Sequence, residues 1–132
     1  MIVTINELPP SCGRGDMRRD EIVKRLQKIC SRLSEVTVAP DGFGHTTFRV
    51  GKKSFVIVGH SDEALSFCIK SDPTTQALLI KRGPYYRTPY IGQHGWVSLD
   101  ADAQIPWGEV EDLVVDAYRL AAPKRLLKLL DQ

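Results

Sequence analysis

The sequence predicts an α+β domain: an antiparallel sheet of about five strands with helices packed on one face, in the order α-β-β-β-β-α-β-α. Three observations carry this. Apolar residues recur at helical spacing near both ends of the chain, the stretch from Val36 to Ile69 alternates with the period of strands, and the breaks inside that stretch are short turns. Short breaks join antiparallel neighbours, because parallel ones need a crossover of roughly a dozen residues or more.

Ile22, Val23, Leu26, Ile29, Cys30 and Leu33 make the first apolar stripe, with Asp16 placed to cap its start and Arg32 near its end. The period then changes to two: Val36 and Val38, then Thr46, Phe48 and Val50, then the run Phe55 to Val58, then Leu65, Phe67 and Ile69. Pro40-Asp41-Gly42, Gly51-Lys52-Lys53 and His60-Ser61-Asp62-Glu63 supply turn chemistry, so these strands form a meander. Asp72 followed by Pro73 opens a short helix, since an Asp side chain accepts from free N–H groups and Pro fits the first helical position. Gly83-Pro84 stops it, and a loop from Pro84 to Gly95 leads to a fifth strand around Trp96 to Leu99. Val110, Leu113, Val114, Ala117 and Ala121 give the clearest helical stripe, ended by Pro123. Leu126, Leu127, Leu129 and Leu130 add a last amphipathic turn or two that packs back on the core. No internal repeat or linker divides the chain, so residues 1–15 read as an N-terminal extension and 16–132 as a single domain.

Composition excludes several classes. The 132 residues are 42% hydrophobic and 26% charged, which is ordinary for a globular chain and far from the profile of disordered ones. No window approaches the roughly 20 apolar residues of a bilayer span, and Met1 to Pro10 lacks a basic n-region and an apolar h-region. A cytoplasmic protein without membrane attachment is expected. Cys12, Cys30 and Cys68 are an odd, widely spaced set that fits neither a disulfide framework nor a zinc site; the latter two read as small buried hydrophobes. Net charge is only +2 from 18 basic and 16 acidic residues, and a pI of 8.5 falls short of a strong nucleic-acid footprint. Any polyanion site must come from how charge is distributed.

The distribution is uneven. From Pro73 to Leu99 there is no acidic residue, while Lys81, Arg82, Arg87 and His94 are interleaved with Tyr85, Tyr86, Tyr90 and Trp96. Nucleic acids need both kinds of group, cations for the phosphates and flat surfaces for bases. Lys52 and Lys53 sit at a predicted hairpin tip, where a wing presents ammonium groups to a phosphate backbone, and Arg49 projects from the preceding strand opposite to Phe48 and Val50. Trp96 reads as a structural anchor, since large aromatics in the strands of small domains are packed. Asp100, Asp102, Glu109, Glu111, Asp112 and Asp116 form a stretch without a basic residue, expected to face away from any polyanion. Arg119, Lys124, Arg125 and Lys128 complement helix C-termini without needing a ligand.

Thr47-Phe48-Arg49-Val50, Gly51 to Phe55, Phe67 to Pro73, Pro89-Tyr90-Ile91-Gly92 with Gly95-Trp96-Val97, and Asp116 to Leu120 with Ala122 to Leu126 occur in an order that resembles the MmcQ/YjbR family. The resemblance spans roughly residues 20 to 130. It implies a frataxin-like α+β fold, also described as a double-wing DNA-binding fold, and with it a non-enzymatic, regulatory DNA-binding protein. A monomer is expected. The other reading of the same residues is a protein-interaction or small-ligand-binding module.

Enzyme chemistry finds no footing. His45, His60 and His94 lie in separate turns, with no signature block around a Ser or Cys nucleophile. His60 with Asp62 and Glu63 is the nearest approach to metal-ligand spacing, and neither a metal nor a cofactor is expected. Gly13-Arg14-Gly15-Asp16 lacks the third glycine and the preceding strand of a dinucleotide fingerprint. Iron handling on a frataxin-like fold uses a row of carboxylates on the first helix. Here that helix carries Arg18, Arg19, Lys24, Arg25, Lys28 and Arg32 against Asp16, Asp20, Glu21 and Glu35.

Overall fold

A computed structural model describes residues 14–40, 44–59, 65–101 and 104–130, with side chains described from residue 19 onward. Helix α1 runs Arg14–Cys30 and buries Ile22, Leu26 and Cys30 at successive i+4 steps. Asp16 lies inside its first turn rather than at the cap. A carboxylate is favoured at both places, at the cap by its hydrogen bond and in the first turn by the helix dipole, so the residue type alone does not separate them.

Strands β1 (Val36–Pro40), β2 (Thr46–Val50), β3 (Lys53–Val58) and β4 (Ser66–Ile69) form the expected antiparallel meander. The predicted turn residues Asp41, Gly42 and His60 to Glu63 lie outside the described residues. Helix α2 (Pro73–Arg82) opens as its sequence predicts: the Asp72 carboxylate accepts from the Thr75 N–H at 2.8 Å and from the Thr75 hydroxyl at 2.9 Å. Those bonds hold the Asp72 carboxyl below the usual carboxylate range.

The stretch read as a loop from Pro84 to Gly95 contains a sixth strand. Tyr86–Arg87 form β5, paired to the outer edge of β6 (Val97–Asp100), which itself lies beside β4. Two residues are too few to show alternation, so periodicity gave no signal there. The sheet order is β1-β2-β3-β4-β6-β5, closed on one side by α3 (Trp107–Ala121), with α4 (Lys124–Leu130) folding its Leu126 into the core.

Pairing sets the two faces. Phe48, Val56, Ile69 and Val97 are successive cross-strand partners, all at most 1% exposed, and belong to the core shared with α1 and α3. Between Phe48 and Arg49 the register slips, leaving Phe55 as an extra residue in β3. Its ring meets Tyr118 edge-on at 5.8 Å. At the other end of α3, Trp107 stacks on Phe67 at 6.1 Å. These two ring contacts fix the direction of α3: it starts where β4 starts and ends toward the β2–β3 hairpin. The Tyr118 hydroxyl donates to the Ser34 carbonyl at 2.8 Å, fastening that end to the segment before β1.

Cys30 and Cys68 are free and buried, and desolvation pushes both thiols up to about 12, which suits the inert hydrophobes expected of them; Cys12 lies outside the described residues. Among the described residues no helix is long and apolar enough to cross a membrane.

Candidate nucleic-acid interface

The register gathers most of the predicted site residues at one end of the sheet. Val56 pairs with Ile69, Ile69 with Val97, and Val97 with Arg87. The β2–β3 tip at Gly51 and Lys52, Lys70 after β4, and the loop between β5 and β6 therefore share that end. At about 4.8 Å per strand, the hairpin and the β5 edge stand about 14–19 Å apart, or roughly four to six nucleotides at 3.4 Å rise per strand.

The loop from Thr88 to Trp96 is held from several sides. The buried Gln76 amide donates to the Gly92 carbonyl at 2.7 Å and to the Trp96 carbonyl at 2.8 Å. The Thr88 and Ser98 hydroxyls are hydrogen-bonded at 2.9 Å, and the His94 and Gly95 N–H groups close a short turn onto Ile91 and Gly92. Gly95 has φ +97°, and a Cβ there would come within 2.3 Å of the Ser71 carbonyl oxygen, so only glycine allows the loop to press onto the start of α2. A Cβ on Gly92 would lie 2.4 Å from Cγ of Arg87, which places the Arg87 stem across the turn. Trp96 is 7% exposed, and the Lys70 ammonium sits 5.8 Å from its ring centroid.

On this braced loop Tyr90 is 95% exposed with φ +66°. A bulky residue in the left-handed region costs about 1–3 kcal/mol. A ring that touches almost nothing in the fold does not offset that cost.

Charge use differs across the surface. Lys52, Lys53, Arg87 and His94 are exposed and make no ion pair among the described residues. Elsewhere Arg32 reaches Glu111 at 2.5 Å, Arg82 reaches Glu109 at 2.7 Å, and Arg125 reaches Glu35 at 2.8 Å. The sheet end thus brings together Lys52, Lys53, Arg87, Tyr90 and His94 over Trp96. Arg49 stands just behind the hairpin, half-buried, its Nε donating to the Thr47 hydroxyl at 3.2 Å. Lys81 and Arg82 are not part of the cluster: they lie at the far end of α2, about 15 Å along its axis, where Arg82 faces the start of α3. Lys70 and Gln76 belong to the site yet escaped the sequence reading. Alternation from Cys68 would have put Lys70 on the Trp96 face, and Gln76 betrays itself as an amide among α2 residues that turn inward.

Most acids of the 100–116 stretch gather at the opposite end, while Asp72, capping α2 beside Gly95, and Glu35, next to the Val36 that pairs with Val50 and bonded to Arg125, stand at the cation end. Asp100 closes β6 and accepts from the Tyr86 hydroxyl at 2.8 Å, while Glu109, Glu111 and Asp112 fill the start of α3; Asp102 lies outside the described residues. The Glu109 carboxyl is held below its ordinary value, first by the Tyr85 hydroxyl at 2.5 Å and then by Arg82. Burial, with that same carboxylate second, pushes the Tyr85 phenol up.

A groove of about 950 Å³ forms an open trough between α1 and α3. Of its four cations, the Arg25 guanidinium lies 5.1 Å over Trp107 and Arg32 pairs with Glu111, while Lys24 and Lys28 make no ion pair among the described residues. Among the described residues no group of three or more His, Cys, Asp or Glu could hold a metal; His60, Asp62 and Glu63 lie outside them.

A helix-backed antiparallel sheet with a cluster of exposed cations at one end defines a small α+β domain. The chain belongs to the YjbR family, whose model matches residues 31–120, the whole of the sheet included. It is similar in structure to Deinococcus radiodurans protein DR2400, a DUF419 domain protein known from its crystal structure. The identity is 21%, the likeness covers 74% of this chain and 76% of that one, and the TM-score is 0.65. At that identity the likeness speaks to the fold alone. Among curated proteins, none matches the chain.

Proposed function

We propose that this chain is a non-enzymatic DNA-binding protein of the cytoplasm that docks on the phosphate backbone with its β2–β3 hairpin and the loop from Thr88 to Trp96. The observation that supports this reading most is the gathering, at one sheet end, of exposed cations that have no ion pair among the described residues. An ammonium without a carboxylate partner keeps its whole charge for phosphate, and contacts of that kind supply the sequence-independent part of DNA affinity.

The test is anisotropy of a fluorescent DNA duplex titrated with the protein at several salt concentrations. Binding that weakens linearly in log K against log salt is expected. Exposed apolar residues on α2, Leu78 at 64% and Ile80 at 38%, favour the second reading, a protein-interaction module. That reading gains if no duplex complex forms even at low salt.

A further inference from the structure

We infer that Tyr90 is a stacking platform for an unpaired base, so that the preferred form of nucleic acid is single-stranded. This rests on the DNA-binding reading and specifies its substrate. The inference follows from how the ring is presented. Tyr90 is 95% exposed at φ +66°, on a loop that Gln76, Gly95 and the Thr88–Ser98 bond hold rigid. With the backbone beneath it held in place, only the ring's own torsions lose freedom when a base stacks on it. Bases inside a duplex offer their edges, whereas an unstacked base offers its π-face, and a bare aromatic ring complements a π-face.

The surroundings fit a strand that passes the ring. Arg87 lies across the same turn, His94 follows four residues after Tyr90, and Lys70 stands beside Trp96 on the same sheet end. No acidic residue occurs anywhere from Pro73 to Leu99. Cations beside a stacking ring are the combination that single-strand grooves use, the cations following the phosphates while the ring takes the bases in any order of sequence. Against a protein partner the same loop would present one phenol beside Arg87 with little apolar area around it.

The test compares a fluorescein-labelled oligothymidine of about 12 nucleotides, within the site sizes of about 4–16 common to single-strand modules, with a duplex of equal length. The parent protein is expected to bind the oligothymidine more tightly. Tyr90→Phe is expected to keep that preference, since the ring remains. Tyr90→Gly is expected to weaken oligothymidine binding by about 5- to 150-fold, the range that one lost base–aromatic stack produces, and duplex binding by less, so that the preference for the oligothymidine falls. The same variant is expected to melt no lower than the parent, because glycine relieves the left-handed backbone, so a loss of binding does not reflect unfolding. Duplex binding at least as tight as oligothymidine binding overturns the inference, as does a Tyr90→Gly variant with parental oligothymidine affinity; in both cases DNA binding itself stands. Failure of the parent to bind either probe at low salt overturns the DNA-binding reading along with the inference.

Discussion

On the helical side of this molecule Arg32, Arg82 and Arg125 each end on a carboxylate, whereas at the hairpin end Lys52, Lys53, Arg87 and His94 end in solvent. Exposed ion pairs contribute about 0–1 kcal/mol each, so the pairs on the helical side add little to stability. Lys24, Lys28, Lys124 and Lys128 on the helices are exposed and make no ion pair among the described residues either, so the difference between the two regions is in what accompanies the charge: at the sheet end such cations stand with the exposed ring of Tyr90. Substitutions in the packed layers should therefore change melting before binding, and substitutions at the sheet end should do the reverse.

The largest effect expected is at the rings. Tyr118 is fully buried, meets Phe55 and bonds to Ser34, so Tyr118→Ala should cost about 3–5 kcal/mol, read by chemical denaturation. Trp96→Ala should cost a similar amount, about 3–5 kcal/mol. It tests the contrast more sharply, because Trp96 belongs to both regions, packed below and covered by Lys70. A Trp96→Ala protein that melts like its parent yet loses DNA would make the residue a contact rather than an anchor.

Next comes Gln76→Ala, which removes one of two donors from each of the Gly92 and Trp96 carbonyls, the Gly95 and Thr88 N–H groups remaining. Each lost hydrogen bond costs about 0.5–1.5 kcal/mol, so about 1–3 kcal/mol is expected here. The loop that carries Tyr90 should loosen too, so DNA affinity should fall together with the melting temperature.

Smaller still is the acid response. Hydrogen bonds depress the folded-state carboxyls of Glu109 and Asp72 below their reference values of 4.5 and 3.8. The stability tied to each is present above its unfolded value and is lost as pH falls through the lower folded one. Melts taken from about pH 6 downward should decline in that acid window, and Glu109→Gln should flatten part of the decline. Arg82→Ala, which removes one exposed pair, should change stability by less than about 1 kcal/mol and DNA affinity hardly at all, since Arg82 lies at the far end of α2.

Much of this architecture could be read from the chain. Ile22, Leu26 and Cys30 announced α1, the meander followed from alternation and short turns, and Asp72-Pro73 marked the start of α2, because each is a local rule acting on neighbouring residues. What escaped was set at long range. Strand β5 exists because Tyr86 and Arg87 can pair with β6, and nothing in two residues announces a partner further along the chain. Lys52 and Lys53 were found as hairpin-tip cations, but that Arg87, Tyr90 and His94 would join them depended on β6 inserting between β4 and β5. The same insertion sends α2 back along the sheet and carries Lys81 and Arg82 away, although they sit close in sequence to Arg87. Lys70 and Gln76 carried a local signal, alternation from Cys68 for one and an inward α2 position for the other, but what each touches appears only with its neighbour in space.

The central claim, that the hairpin cations neutralise phosphates, is tested most directly by the double variant Lys52→Gln/Lys53→Gln. Each phosphate contact contributes about 0.9 to the slope of log K against log salt, so the variant's duplex-binding slope should be shallower by nearly 2. Neutral side chains are needed, because Glu would repel DNA at a distance and lower affinity without reporting contacts. The melting temperature should stay at the parental value, since both residues are exposed at the hairpin tip. A variant whose slope equals that of a measurably binding parent would contradict the account and place the DNA contact elsewhere on the molecule.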